Sequence, residues 1–151
     1  MENQTLPEDF KEFLRLLNAH EVQYMLIGGY AVGYYGYPRT TADMDIWFAV
    51  SPQNASRLYD VFLEFGMTDP SLSPDSFLQP KTIIRMGLPP MRIEVMGEID
   101  GVSFDKCYTN KVCVAMDGEN VSLISKSDLL RNKSASGRHK DLDDIENLET
   151  L

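Results

Sequence analysis

Two aspartates one residue apart, Asp43 and Asp45, stand at the head of an apolar segment that continues through Ile46, Trp47 and Phe48, and a Gly28-Gly29 pair precedes them. A strand turns successive side chains to opposite faces, so Asp43 and Asp45 share one face while Met44 and Ile46 enter the core. The segment therefore calls for a sheet with one wet end. Two carboxylates on one strand face repel each other, and a bound divalent cation is the usual compensation that keeps both ionised. Asp-x-Asp alone is a weak signal. Its bland reading is an exposed strand end with two solvated aspartates.

The rest of the chain is organised like a folded, water-soluble protein. Its 151 residues fit a single domain, 1–151, and 43% hydrophobic with 25% charged residues is ordinary for a globular chain. A formal net charge of -9 excludes a protein that coats nucleic acid over its whole surface, and leaves room only for local basic patches. Cys107 and Cys113 match neither a C-x-x-C redox pair nor a zinc site, so both read as reduced thiols. No basic, then apolar, then small-residue leader opens the chain, and the longest uncharged run, 22–38, holds four glycines and a proline. A cytoplasmic protein without a membrane span is the expectation.

Thr5, Pro7 and Glu8 read as a capped helix start, with Phe10, Phe13, Leu14 and Leu17 at helical spacing and His20 placed to meet the last carbonyls. Residues 23–27 form a short buried strand that feeds the Gly28-Gly29 turn. A short helix follows through Ala31 and Val32 to about Gly36, and the aspartate strand covers 43–50. Ser51-Pro52 opens a helix with Leu58, Val61, Phe62 and Phe65 on one face and Gly66 as its stop. Residues 68–80, rich in Ser, Pro and Asp, read as an exposed loop. Residues 82–86 and 91–96 pair around a turn of Gly87, Pro89 and Pro90, and Asp117-Gly118 joins strands 112–116 and 120–123 in a hairpin. C-terminal helices over about 125–151 start at Ser125 with Asp128, and again at Arg138 with Leu142, Ile145 and Leu148 on one stripe.

Within 91–96, Glu94 interrupts an apolar strand. Arg92, Glu94 and Met96 share one side, so Glu94 reaches the aspartates if the two strands are neighbours. Otherwise Arg92 and Glu94 are a surface pair on a half-exposed strand.

Ile27-Gly28-Gly29 followed by Asp43-Met44-Asp45-Ile46, with Glu94 in a later strand, resembles the DNA polymerase beta type nucleotidyltransferase superfamily. The segment from Gly137 through Arg138, His139, Lys140 and Asp141 to Ile145 is also similar to the C-terminal helix of AbiEii-like minimal bacterial nucleotidyltransferases. The resemblance covers most of the chain. It implies an α+β nucleotidyltransferase fold, a mixed, mostly antiparallel sheet with helices packed on it. It further implies transfer of a nucleoside monophosphate from a nucleoside triphosphate to a hydroxyl acceptor on a tRNA, a protein or a small molecule, supported by two magnesium ions that manganese can replace.

On that resemblance, Asp43, Asp45 and Glu94 are the catalytic and metal-binding residues. Gly28 and Gly29 let backbone approach the triphosphate, and Lys126, Arg138 and Lys140 contribute from a basic segment. Arg39 has two readings, a phosphate contact from the connecting loop or a solvated loop cation. Tyr30, Tyr34, Tyr35 and Tyr37 read as packing before base stacking, and Trp47 as a core residue beyond the site. The acids Asp141, Asp143, Asp144, Glu146 and Glu149 suit the first turns of a helix and ask for no further role.

Two positions depart from the family pattern. Gly29 stands where some members place a serine against phosphate, so that contact falls to backbone N–H groups, and Glu94 stands where aspartate is commoner. These departures motivate the alternative of a catalytically weak or inactive nucleotidyltransferase-fold module that binds a toxin or antitoxin partner. A dinucleotide-binding reading of Gly29, Gly33 and Gly36 fails on spacing.

Overall fold

The computed structural model describes residues 6–36, 43–88 and 91–149. Its centre is β2 (Asp43–Phe48), which runs antiparallel to β1 (Tyr24–Ile27) on one side and parallel to β4 (Met91–Met96) on the other. With β3 (Ile83–Leu88), β5 (Val112–Met116) and β6 (Glu119–Leu123), the sheet has the order β3-β4-β2-β1-β6-β5. Pairings β1–β2, β3–β4 and β5–β6 are antiparallel, and β1–β6 and β2–β4 are parallel. The expectation of a mixed, mostly antiparallel sheet is met.

Helix α1 (Glu8–Ala19) buries Phe10, Phe13, Leu14 and Leu17, as their spacing predicts. Its last non-helical residue is Pro7, with no side-chain cap; the expected Thr5 cap lies outside the described residues. His20 does not serve its own helix carbonyls, because its Nε2 sits 3.1 Å from a Glu64 oxygen on α3 (Pro52–Phe65). The Phe13 ring meets Phe62 and Phe65 edge-on at 5.7 and 5.2 Å, the geometry aromatic quadrupoles favour. Segment 68–80 is not all loop. Pro74–Leu78 forms a 3-10 turn whose Phe77 is fully buried against Phe48 and Phe62.

Local chemistry fixes the ends as expected at α3. Ser51 Oγ accepts the Asn54 N–H at 3.2 Å, and Gly66 closes the helix at φ 100°, a conformation that costs glycine little. Asn54 does more than receive that cap. Its buried amide bonds Gln23 at both N–H and C=O and also the Ala49 carbonyl at 2.8 Å, tying the start of β1 to the end of β2. That clamp sets the register in which Ile27 faces Asp45. Asp117 and Gly118 both have positive φ, 48° and 82°, the combination a two-residue hairpin turn demands.

The remaining helices are α2 (Gly28–Tyr34), α4 (Phe104–Thr109), α5 (Lys126–Ser136) and α6 (His139–Glu149). Helix α4 is absent from the sequence reading. Trp47 packs edge-on to Phe104 of α4 at 5.2 Å and donates its indole N–H to the Gly97 carbonyl, so it closes the core as expected. Tyr30 and Tyr35 are structural too: the Tyr30 ring meets Phe10, and the Tyr35 hydroxyl donates to the Ile124 carbonyl at 2.6 Å. Tyr37 lies outside the described residues. No helix among the described residues is long and apolar enough to cross a membrane.

Candidate active site

The floor of the site is a patch of sheet. Asp43 pairs in register with Arg92, and Asp45 with Glu94, on the parallel neighbours β2 and β4. Side chains of directly paired residues lie on the same face of a sheet, so the three acids share one surface, as the alternation of β4 predicts. Antiparallel pairing extends each row by one residue, to Gly87 beyond Arg92 and to Arg85 beyond Glu94.

One wall is the β1–α2 junction. Because Ile27 faces Asp45, the chain must turn at Gly28, right beside the aspartate. Helix α2 begins at Gly28 itself, earlier than the sequence indicates. Gly28 has φ +72°, and a Cβ there would collide with a carboxylate oxygen of Asp45. Only a residue without a side chain leaves both the turn and the carboxylate in place.

The opposite wall is the α5–α6 pair. Helix α5 is capped by Ser125, whose Oγ accepts the Asp128 N–H, and Asp128 in turn holds Arg131 at 2.6 Å. Asn132 bonds the Asp100 carbonyl at 2.9 Å. Gly101, at φ +80°, packs so closely on Ala135 that a Cβ would overlap it. The loop after β4 is thereby pinned to α5, and Asp100 is brought to the cleft.

Beneath this wall lies a buried charge cluster that sequence reasoning missed. Lys133 is 4% exposed and sits 3.0 Å from both Asp141 and Asp144, themselves 0% and 2% exposed. Asp141 also accepts from Ser136 and, at 2.6 Å, from Arg138 Nε. Burial alone would raise its pKa, but the hydrogen bonds from Arg138, Ser136 and Lys133 outweigh that and hold it well below the usual carboxylate range. Two of the acids read as merely suiting a helix start thus have a buried partner, and the apolar stripe of α6 is corrected: Leu148 is buried, whereas Leu142 is 49% exposed. The helix turns a polar face inward because a buried lysine needs carboxylate partners.

Between these walls opens a cleft of about 610 Å³. It is lined by Gly28, Asp43, Asp45 and Glu94, by Glu98 and Asp100, and by the cations Arg85, Arg92, Lys133 and Arg138. Arg138 is bound through Asp141 yet stays 66% exposed in its side chain, and the hydrogen bond it donates to Asp141, together with the charges of Asp141, Asp100 and Asp45, raises its pKa against a smaller effect of burial. A smaller apolar hollow of about 230 Å³ lies by Phe10, Phe65, Met86 and Ile93, whose β3 and β4 residues alternate with those of the cleft and so face the other side.

Of the residues singled out from sequence, Gly28, Asp43, Asp45, Glu94 and Arg138 meet in this cleft, and Gly29 follows in the first turn of α2. Lys126 is not among the lining residues. Arg39, Pro89, Pro90 and the side chain of Lys140 lie outside the described residues. Arg85, Asp100 and Lys133 went unrecognised. Their signal is tertiary: one lies across the sheet, one in a loop and one under a helix.

Three carboxylates on one sheet surface suit a hard divalent cation, which takes oxygen ligands. Two of them, Asp43 and Glu94, are paired with arginine. Arg92 Nη2 lies 3.2 Å from Asp43 and 3.4 Å from Glu94, while Arg85 Nε is 3.1 Å from the same Glu94 oxygen. Among the described residues, no three His, Cys, Asp or Glu side chains converge on one ion position. By its chemistry the donor set fits such an ion, and Arg92 and Arg85 pair with two of its members.

A mixed sheet with acids on its central strand, next to a glycine turn that opens a helix, is the architecture of nucleotidyltransferases. Solved structures with this fold include the lincosamide antibiotic adenylyltransferase LnuA bound to lincomycin, at 17% identity, TM-score 0.59, and coverage of 98% of this chain and 99% of that one. A nucleotidyltransferase assigned in Thermotoga maritima matches at 18% identity and TM-score 0.58, covering 98% and 93%. An antigenic nucleotidyltransferase-like protein of Paracoccidioides brasiliensis matches at 20% identity and TM-score 0.55, covering 94% and 74%. No curated protein matches the sequence. The family model described as "Nucleotidyl transferase of unknown function (DUF2204)" matches residues 7–151. The chain belongs to that family and is a nucleotidyltransferase.

Proposed function

We propose that the chain works as one domain which transfers a nucleoside monophosphate from a nucleoside triphosphate to the hydroxyl of a small molecule. The observation that carries this reading is the in-register pairing of Asp45 with Glu94 on adjacent strands, with Asp43 on the same face. In the reaction, the acceptor oxygen attacks the α-phosphorus in line, the bond to the β-phosphate oxygen breaks, and pyrophosphate leaves. When bound, two divalent ions, magnesium or manganese, supply charge neutralisation on the phosphate oxygens and acidify the acceptor hydroxyl.

Asp43 and Asp45 would hold these ions, and Glu94 would complete the set and take the proton of the acceptor hydroxyl. Gly28 and Gly29 bring backbone N–H groups to the triphosphate without a side chain in the way. Arg138, anchored by Asp141 but exposed, offers its free guanidinium edge to phosphate.

A small-molecule acceptor is favoured over tRNA or protein by the cleft volume of about 610 Å³, which is the size of small-ligand sites. The formal charge of -9 also works against a polyanionic acceptor. LnuA, similar in fold over nearly its whole length, is by its name a lincosamide antibiotic adenylyltransferase.

The test is incubation with each α-phosphate-labelled triphosphate, magnesium or manganese, and a cell lysate, with an Asp43→Ala, Asp45→Ala protein as control. Label entering small molecules, and only with the intact aspartates, is the expected result. Label in RNA or protein would reassign the acceptor. Triphosphate binding without transfer to anything would favour the binding module of a toxin-antitoxin pair.

A further inference from the structure

On the cleft floor, Arg92 stands where its charge competes with any ion the acids would hold. Its Nη2 lies between Asp43 at 3.2 Å and Glu94 at 3.4 Å. Its Nε is buried and has no hydrogen-bond partner. A buried donor left unsatisfied is penalised, so the two carboxylates hold this conformation against an incompletely solvated guanidinium. Its neighbour across β3 is Gly87, which adds no side chain to crowd another rotamer. Arg85 restrains Glu94 from the far side, but it touches one acid where Arg92 spans two.

The charges set a direction. Among the described residues, Asp43, Asp45 and Glu94 against Arg85 and Arg92 leave this surface with one net negative charge. Divalent ions seated on the acids would leave the guanidinium in an excess of positive charge, and a triphosphate relieves that excess. We propose that Arg92 is a resident counter-cation: it holds Asp43 and Glu94 apart before loading, is displaced when divalent ions take those carboxylates, and then binds the non-bridging oxygens of the triphosphate. This rests on the metal-binding reading of Asp43, Asp45 and Glu94 given above. Metal alone then binds weakly because it must evict a cation, and nucleotide strengthens it by giving that cation a new partner, a reciprocal coupling between the two ligands.

The experiment titrates manganese, read as loss of the free-ion electron paramagnetic resonance signal, with and without an ATP analogue bearing a methylene bridge between the α- and β-phosphates. Arg92→Gln keeps a polar side chain of similar reach and removes the charge. Expected is at least tenfold tighter manganese binding without nucleotide, together with at least tenfold weaker analogue binding at saturating manganese. Arg92→Lys keeps a single charge that cannot fork between two acids, and its manganese affinity falls between those of wild type and Arg92→Gln; it serves if the glutamine protein does not fold.

Unchanged or weaker manganese binding in either variant, with analogue binding unchanged, would overturn the proposal. The metal reading fails differently: wild-type protein would then bind no manganese even with the analogue, and Asp45→Asn would change nothing.

Discussion

The carboxylate of Asp45 occupies the space that a Cβ on Gly28 would need. Strand, turn and acid are thus fitted to one another, since the β1–β2 register that sets Ile27 opposite Asp45 also brings the turn against it. Gly28→Ala must push the carboxylate aside and hold alanine at φ +72°. A strained φ of this kind costs about 1–3 kcal/mol, read as a lower urea midpoint. Displacing a reacting group by about 1 Å lowers rate on the order of 100-fold, so nucleotidyl transfer falls far more than stability does. A variant with full transfer activity would contradict this fit.

Lys133 marks the deepest electrostatic commitment in the fold. With both its carboxylate partners at 3.0 Å and all three residues buried, Lys133→Met leaves Asp141 and Asp144 without their shared cation. Breaking a buried pair on one side costs about 3–5 kcal/mol, and chemical denaturation should show a loss of that size. Arg15→Ala, which removes an exposed pair with Glu119, should cost no more than about 1 kcal/mol.

The same cluster predicts acid sensitivity. Against burial, Arg138, Ser136 and Lys133 hold the Asp141 carboxyl well below its ordinary value, so the folded state binds its proton less readily than the unfolded chain. Its contribution is complete above the unfolded pKa of about 3.9 and is lost as pH falls towards the folded value. Melting temperature measured from pH 7 down to pH 2 should fall steeply below about pH 4. Asp141→Asn, although less stable at neutral pH, should show a shallower fall.

The two cysteines should separate cleanly. Cys107 is buried, and burial followed by the nearby Asp128 pushes its thiol up to about 12; Cys113 is exposed. Thiolate is the reactive form. A disulfide-exchange reagent at pH 8 should therefore titrate one thiol quickly in native protein and two after unfolding, and replacing Cys113 with serine should abolish the fast phase.

Much of this was legible because local chemistry agrees with the fold. Ser51 and Gly66 end α3 where capping rules put them, Asp117-Gly118 makes its hairpin, and the alternation of β4 sends Glu94 to the face that proves to carry Asp45. The illegible parts depend on partners distant in sequence or across an element. Phe77 sits in a segment whose composition reads as loop, and only its packing on Phe48 and Phe62 makes that segment structural. Asp141 and Asp144 look like acids at a helix start until Lys133 is seen beneath them. Arg92 was visible beside Glu94, but its span to Asp43 needed the parallel register of β2 and β4.

If Asp43, Asp45 and Glu94 form the centre of nucleotidyl transfer, Asp45→Asn, which keeps shape and removes one negative charge, disables it. Initial rates of label transfer from an α-phosphate-labelled triphosphate, at saturating manganese and with melting temperature measured in parallel, should fall on the order of 100-fold or more while the fold is retained. A folded Asp45→Asn protein that transfers label at the wild-type rate would rule Asp45 out of the reaction.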